Sequence, residues 1–289
     1  MTPLVTEPSL VEEMDVATYH SDPVKGGSLS YSGMKQLLKS PASYRHYMDQ
    51  PREPKKVFDA GHIVHSLVLG TPLGVVEIPD SILASNGAAS TTAAKEFVAQ
   101  ARLDDLIPVK SHELDPMRDQ AEAVLAHPWA GPLFTGEGPV EVSMFAPDPE
   151  SGVWIRGRAD KINTNWNGDV VLADLKTTTD ADPAVFNRTA VARLHYYLQA
   201  HVYGQLYHWI TGEPAPQMLI VAVTKTPPYL VSVNSLDWAY DDLGKETMRV
   251  AIDLYKQCAQ TNEWPGYDGV RTLTPPAYLM YDDTEEIEI

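Results

Sequence analysis

From Ser28 the segment SLSYSGMKQLLKSPASYRHYMD carries apolar residues at helical spacing in two pieces, the second opened by Ser40 as N-cap and Pro41 at the first helical position. The period returns in KKVFDAGHIVHSLVLG, where Phe58, Val64/His65 and Val68 recur at helical spacing and Gly70 stops the helix. VVEI predicts a short strand, and residues 91–104 and 113–126 predict two more helices, the first preceded by a loop at NGAAS. In the centre the period drops to two. PVEVSMFA, VWIRGRADKINT and GDVVLADLKT are short alternating or apolar runs, separated by the hairpin signals Pro-Asp-Pro-Glu-Ser-Gly and Asn165-Trp166-Asn167-Gly168. They predict three consecutive antiparallel strands. A long helix over about Val191–Ile210 follows, with Gly212 as its stop, then strands QMLIVAVT and YLVSVN and a last helix over about 236–261.

This order predicts an α/β fold in which helices flank a mixed central sheet, with a helical N-terminal elaboration. Residues 1–27, with two Pro-flanked acidic patches and Gly26-Gly27, read as an irregular arm, and residues 28–267 as one domain. Residues 268–289 read as an acidic tail ending in DDTEEIEI, whose five carboxylates in eight residues offer no core-forming period.

Composition narrows the chemistry. A chain of 289 residues, 44% hydrophobic, is ample for a buried core. No run of 18 apolar residues occurs and MTPLVTEPSLVEEMD holds no apolar run, so the expectation is a cytoplasmic protein with neither membrane span nor signal peptide. Cys258 is the only cysteine, which excludes an internal disulfide and leaves no framework for a zinc ribbon or an iron–sulfur cluster. Any metal must therefore use oxygen and imidazole.

Strand alternation in GDVVLADLKT places Val170, Leu172, Asp174 and Lys176 on one face, so a carboxylate and an ammonium point the same way. Asp160, in RGRAD on the preceding strand, lies at about the same distance from the Asn167-Gly168 turn as Asp174. Two carboxylates then meet near one edge of the sheet, where their repulsion calls for a cation or a proton between them. Carboxylate oxygens suit Mg²⁺ or Mn²⁺, and a compact lysine charge beside them suits stabilisation of a pentavalent phosphorus. An acid and a lysine two apart are by themselves commonly a solvated surface pair. What raises this pair above that is the apolar run VVLA in front of it. Arg156 and Arg158 alternate in phase with Asp160, which suits either clamping phosphate or pairing with nearby acids.

The phrases AGHIVHSLVLG, RGRAD, LADLKTT and YYLQAHVY together resemble the RecB-type nuclease signature. With the opening LSYSGMKQLLKSPASYRHYM and the closing EWPGY, the chain is similar over about residues 28–267 to the exonuclease VIII (RecE) family of prophage recombination nucleases, in the restriction-endonuclease-like superfamily. The resemblance implies a restriction-endonuclease-like core, His65, Asp160 and Asp174 as metal ligands with the backbone carbonyl of Leu175, and Lys176 as the catalytic lysine. It carries the family glutamine and tyrosine onto Gln199 and Tyr203, one helical turn apart and able to reach a phosphate or base edge, and gives Glu141 a supporting catalytic role. The activity it implies is Mg²⁺-dependent digestion of linear double-stranded DNA from 5′ ends, with Mn²⁺ as substitute, leaving 3′ single strands. The implied partners are duplex DNA ends, a single-strand annealing protein of the RecT type and further copies of this chain in a ring, and the implied setting is a phage or prophage in a bacterial host.

The net charge of −17 opposes a DNA-binding role, since affinity for DNA comes mainly from Lys and Arg neutralising phosphates. A ring with its basic residues inside reconciles the two. The rival readings are a non-catalytic acidic protein that binds DNA ends or mimics DNA, and a nuclease of the same fold acting on branched or single-stranded DNA. The set Asp160, Asp174 and Lys176 argues against the first, because binding alone needs no such set.

Overall fold

A computed structural model describes residues 5–50, 60–72, 74–104 and 106–275. The N-terminal part runs β1 (Ser9–Val11), α1 (Val16–His20), β2 (Leu29–Ser30), α2 (Tyr31–Lys39) and α3 (Pro41–Asp49), then α4 (Ala60–Leu69), β3 (Val75–Ile78), α5 (Thr92–Leu103), β4 (Ile107–Lys110), α6 (Ser111–Ala126) and α7 (Ala130–Thr135). The central part is β5 (Val140–Pro147), β6 (Trp154–Trp166) and β7 (Asp169–Thr178). A short α8 (Pro183–Phe186), a π-helical stretch (Asn187–Ala192) and α9 (Tyr196–Thr211) lead to β8 (Gln217–Thr224), β9 (Val231–Ser235) and α10 (Trp238–Thr261).

The main sheet has the order β1-β5-β6-β7-β8-β9, with β2 also paired to β6. It is mixed: β5, β6 and β7 are antiparallel neighbours, β7 and β8 are parallel, and β9 returns antiparallel. Parallel pairing of β7 with β8 requires a crossover, which α8 and α9 supply. Helices cover both faces, so β8 is buried from Met218 to Thr224, as its unbroken apolar run requires. Leu172 and Ile220 join a core that includes Met34, Val142, Ile155 and Val202, on the side of α2 and α9. Ala173, Leu175 and Val221 point the other way, into a core with Ile63, Val64, Val124 and Leu133 from α4, α6 and α7. A separate two-stranded parallel sheet joins β3 to β4.

The feature that positions the site is a fork in this sheet. β5 occupies one edge of β6 from Trp154 to Lys161. The other edge is shared, by β2 at Ile155 and Arg156 and by β7 from Lys161, which pairs with Ala173, onward. Residues 157–160 of β6 therefore pair with neither, and beyond Ala173 β7 continues alongside β8 alone. At the same level β6 is kinked: Ile155, Ala159 and Ile162 all face one core, although three residues separate the last two and a regular strand would turn them to opposite faces. Opposite the kink Glu141 takes a left-handed backbone, φ 50°, and its neighbours Val140 and Val142 pack into different cores.

Several expectations change. Residues 5–27, the described part of the expected irregular arm 1–27, are instead structured. β1 extends the sheet edge by pairing with β5, α1 is capped by the Asp15 side chain, and Met14, Tyr19 and Val24 bury themselves against Phe145. Elements of three and five residues are too short to show a period. The expected helix 191–210 is broken: a π-helical stretch ends at Ala192, His195 adopts φ 60°, and α9 begins only at Tyr196. Helix α6 begins at Ser111, two residues early, and β4 and β2 were not anticipated. Phe58, the residues 276–289 of the acidic tail and its DDTEEIEI end lie outside the described residues.

Arg156 belongs to the fold. It is 2% exposed, pairs with Asp22, and donates to both the carbonyl and the hydroxyl of Ser28 at 2.7 Å. It ties the N-terminal segment to β6 and has no surface from which to clamp a phosphate. Replacing it with methionine strands the Asp22 carboxylate, so Arg156→Met is expected to cost about 3–5 kcal/mol of stability in urea unfolding. A loss below about 1 kcal/mol, the median worth of a surface pair, would show that the pair is not structural.

Candidate active site

Four elements deliver the site to the fork. From β7 come Asp174, 2% exposed, and Lys176, whose Nζ lies 2.7 Å from Asp174 Oδ2. From β6 comes Asp160, one residue beyond the last β6–β7 pair, as Asp174 is on β7. Its Oδ2 accepts the backbone N–H of Leu175 at 2.9 Å and lies 3.3 Å from His65 Nδ1 on α4. From α9, Gln199 Nε2 donates to Asp174 Oδ1 at 2.6 Å, and Tyr196 lays its ring under the Lys176 ammonium, 4.9 Å from the ring centre. The sheet kink explains why two strands deliver acids to one place: β6 turns its face there, and β7 no longer pairs with it.

Electrostatics follow from that packing. Burial pushes the Asp160 carboxyl above its ordinary range; His65 pulls it back, while the neighbouring Asp174 charge raises it. Burial draws Lys176 toward neutrality, yet Asp174 and then Asp160 more than offset this and hold its ammonium above the usual lysine value. Those carboxylates thus favour the charged ammonium of Lys176, which can donate hydrogen bonds.

Asp160, Asp174, Lys176, His65 and Gln199 are brought together as the sequence pattern anticipates. Leu175 contributes its backbone N–H to Asp160, and its side chain is fully buried. Gln199 holds Asp174 from inside the protein, 5% exposed, where the expectation was contact with nucleic acid. Tyr203 is 7% exposed, with burial pushing its phenol far up, and it packs over β6. A Cβ on Gly157 would come within 2.6 Å of the Tyr203 ring, so this glycine permits the close approach. Tyr203 is a packing residue, and a phosphate or base contact through it does not fit its burial. Glu141 and Arg158 pair at 3.2 Å, and Arg158 also donates to the Met14 carbonyl at 2.7 Å. These two line a cavity of about 420 Å³ with His62 and Ser66. Tyr196 was not singled out from the sequence; its place three residues before Gln199, on one helix face, was the available signal.

Among the described residues no three His, Cys, Asp or Glu side chains gather closely enough to hold a metal ion. The donor types nevertheless fit a hard divalent cation: two carboxylates, one imidazole and a strand carbonyl. Two buried oxygens here, Asp174 Oδ2 and Gln199 Oε1, have no hydrogen-bond partner, and the first belongs to the candidate ligand set.

Residues 30–272 match the family described as PDDEXK-like domain of unknown function (DUF3799). The chain belongs to this family. Its fold is that of the restriction-endonuclease-like superfamily of nucleases, and the mixed sheet between two helical layers agrees with that. No curated protein matches the sequence. Among solved structures, a protein from Eubacterium rectale provisionally described as an exonuclease is similar, with a TM-score of 0.55 and 15% identity over 88% of this chain and 91% of that one. At that identity the likeness speaks for the fold. SSO0001 matches with a TM-score of 0.27 and 17% identity over 65% of this chain and 84% of that one, too low to carry an argument. Neither the family nor the Eubacterium rectale structure singles out the exonuclease VIII family.

A raised carboxyl makes a sign-definite prediction. Between the ordinary aspartate value and its higher folded value, Asp160 binds more proton folded than unfolded, so its contribution to stability falls as pH rises through that window. Asp160→Asn keeps an acceptor for the Leu175 N–H and removes the buried charge. In EDTA the variant is expected to melt above the wild type at neutral pH and to lose this advantage below about pH 3, where the wild-type carboxyl is protonated in both states. Equal melting temperatures across the range would mean that Asp160 carries no electrostatic cost.

Proposed function

We propose that this chain is a Mg²⁺-dependent exodeoxyribonuclease that degrades linear double-stranded DNA, from 5′ to 3′, to leave 3′ single strands for recombination. The observation that carries the reading is the convergence of Asp160, Asp174 and Lys176 at the open fork of the sheet, with His65 and Gln199 behind the two carboxylates. Asp160, Asp174, His65 and the Leu175 carbonyl would hold the cation, with Mn²⁺ as substitute. When bound, the metal supplies charge neutralisation at the phosphate and an activated water. Lys176, held charged, donates toward the oxygens of the scissile phosphate as their charge grows. Gln199 fixes the orientation of Asp174, and the Leu175 N–H fixes that of Asp160, so neither carboxylate has to reorganise during the reaction.

The deciding assay is linear duplex DNA labelled separately at each end, compared with closed circular DNA, in Mg²⁺ and then in EDTA. Loss of label from 5′ ends in Mg²⁺ alone, with circles intact, is expected. Cleavage of circles, or of single strands only, would replace the reading with another nuclease of this fold. Asp160→Asn and Asp174→Asn should each abolish turnover while keeping the circular dichroism spectrum. Lys176→Arg replaces a compact donor with a broad guanidinium and should cost about two orders of magnitude in rate with DNA binding largely kept. Wild-type cleavage by the arginine variant would reduce Lys176 to a counter-ion.

The same reading includes a closed ring of copies that places basic residues on its inner wall, and an annealing protein of the RecT type that receives the 3′ strand at duplex ends. What supports the ring is the need to reconcile −17 per chain with a polyanionic substrate. Light scattering in Mg²⁺ should give a multiple of 31.9 kDa, and a monomer under active conditions counts against it.

A further inference from the structure

Lys35 lies on α2, partly buried, with its Nζ 4.5 Å from the centre of the Tyr31 ring. Tyr31 in turn donates its hydroxyl to the carbonyl of Leu194 at 2.7 Å, which locks the start of α2 against the turn that opens α9. Lys176 sits over Tyr196 in the same manner, so two lysines on two different elements each rest on a tyrosine ring, and Tyr31 is bonded to Leu194, two residues before Tyr196. Their partners differ. Lys176 is paired with Asp174, whereas Lys35 makes no ion pair among the described residues. In a chain with 39 acids against 22 lysines and arginines, a partly buried cation without an acid needs a reason. The larger cations of the fold behave otherwise: Arg118, Arg156, Arg158 and Arg249 are all held by carboxylates. Burial lowers the Lys35 ammonium, and the positive charges of Lys176 and then Lys39 lower it further, so the surroundings leave its charge uncompensated. His195 is affected by the same field: burial, then Lys35, lowers its imidazole.

We propose that Lys35 is a substrate-binding residue that holds a backbone phosphate of the nucleic acid next to the one cleaved, opposite Lys176 across the fork. This rests on the nuclease reading and names a contact within it. The Tyr31 ring holds the lysine stem and restricts it to the opening, while the missing counter-charge is supplied by the phosphodiester when DNA binds. An anion there relieves the repulsion between two lysines at one site. The position also gives a local reason why a strongly acidic chain binds DNA at this place and not elsewhere on its surface.

The test uses the full chain and a short end-labelled duplex in Ca²⁺, with affinity measured over a series of KCl concentrations. Lys35→Met keeps the stem on Tyr31 and removes the charge; Lys35→Arg restores it; Lys95→Ala removes an exposed lysine from α5, on the small sheet, as control. Loss of one phosphate contact lowers the slope of log affinity against log salt by about 0.9. The methionine variant should show that drop and weaker binding of about three- to tenfold, with KM raised and kcat within about twofold. The arginine variant should recover the wild-type slope, and Lys95→Ala should keep it. A methionine variant with the wild-type slope and KM overturns the contact while leaving the nuclease reading intact. A fall in kcat alone assigns Lys35 to support of the fork and also overturns it. If the wild type neither binds nor cuts DNA, the nuclease reading fails and this inference with it.

Discussion

Two carboxylates removed from water repel each other and each loses hydration, and the structure around Asp160 and Asp174 is arranged to answer that cost. Lys176 neutralises one of them, the Leu175 N–H and His65 meet the other, and the Gln199 amide reaches in from α9. None of these donors alone compensates a buried charge. Together they keep two acids side by side while Asp160 stays raised above its ordinary range, the signature of a group held in place against its own preference.

That arrangement depends on the sheet being imperfect. A continuous β6–β7 ladder would seal the edge where the acids meet. The kink at Glu141 and Asp160, the departure of β7 toward β8, and the insertion of β2 further along β6 open a notch whose floor is still sheet. The N-terminal segment closes the far side of this notch. Its anchor is Arg156, buried against Asp22 and Ser28, so an arginine expected to meet phosphate instead holds the chain that frames the opening. Tyr203 serves in the same way from above, pressed onto Gly157 where no side chain intervenes.

The charge of the chain reads differently once placement is known. Among the described residues Arg45, Arg118 and Arg249 are tied to carboxylates on the outside of the fold, where such pairs contribute little and are screened by salt. The lysines that matter are those at the fork, where low solvent exposure makes each charge count for more. A total of −17 describes how the protein behaves as a colloid, and the local field at the notch describes what it attracts.

Period and turn chemistry determined the strands β5 to β9, the helices α2, α3, α4, α5 and α10 and the mixed α/β class, because those elements are long enough to repeat their pattern or carry an explicit cap such as Ser40 or a stop such as Gly212. The same alternation put Asp174 and Lys176 on one face, and the Asn167-Gly168 turn put Asp160 near them, so the centre of the site was legible residue by residue. Tertiary structure alone decided the rest. It broke the helix at His195, where a left-handed residue carries no signal in a window of apolar positions, and it gave residues 5–27 a strand and a helix too short to repeat. It also sorted the polar residues near the site: alternation puts Arg156 and Arg158 in phase with Asp160, and the family resemblance brings Gln199 and Tyr203 to the site, but neither says what will be packed on top of them. Whether a side chain meets solvent or another element is a property of pairs of segments distant in sequence, and that is why Arg156 is buried against the N-terminal segment while Lys35 keeps no acid partner among the described residues.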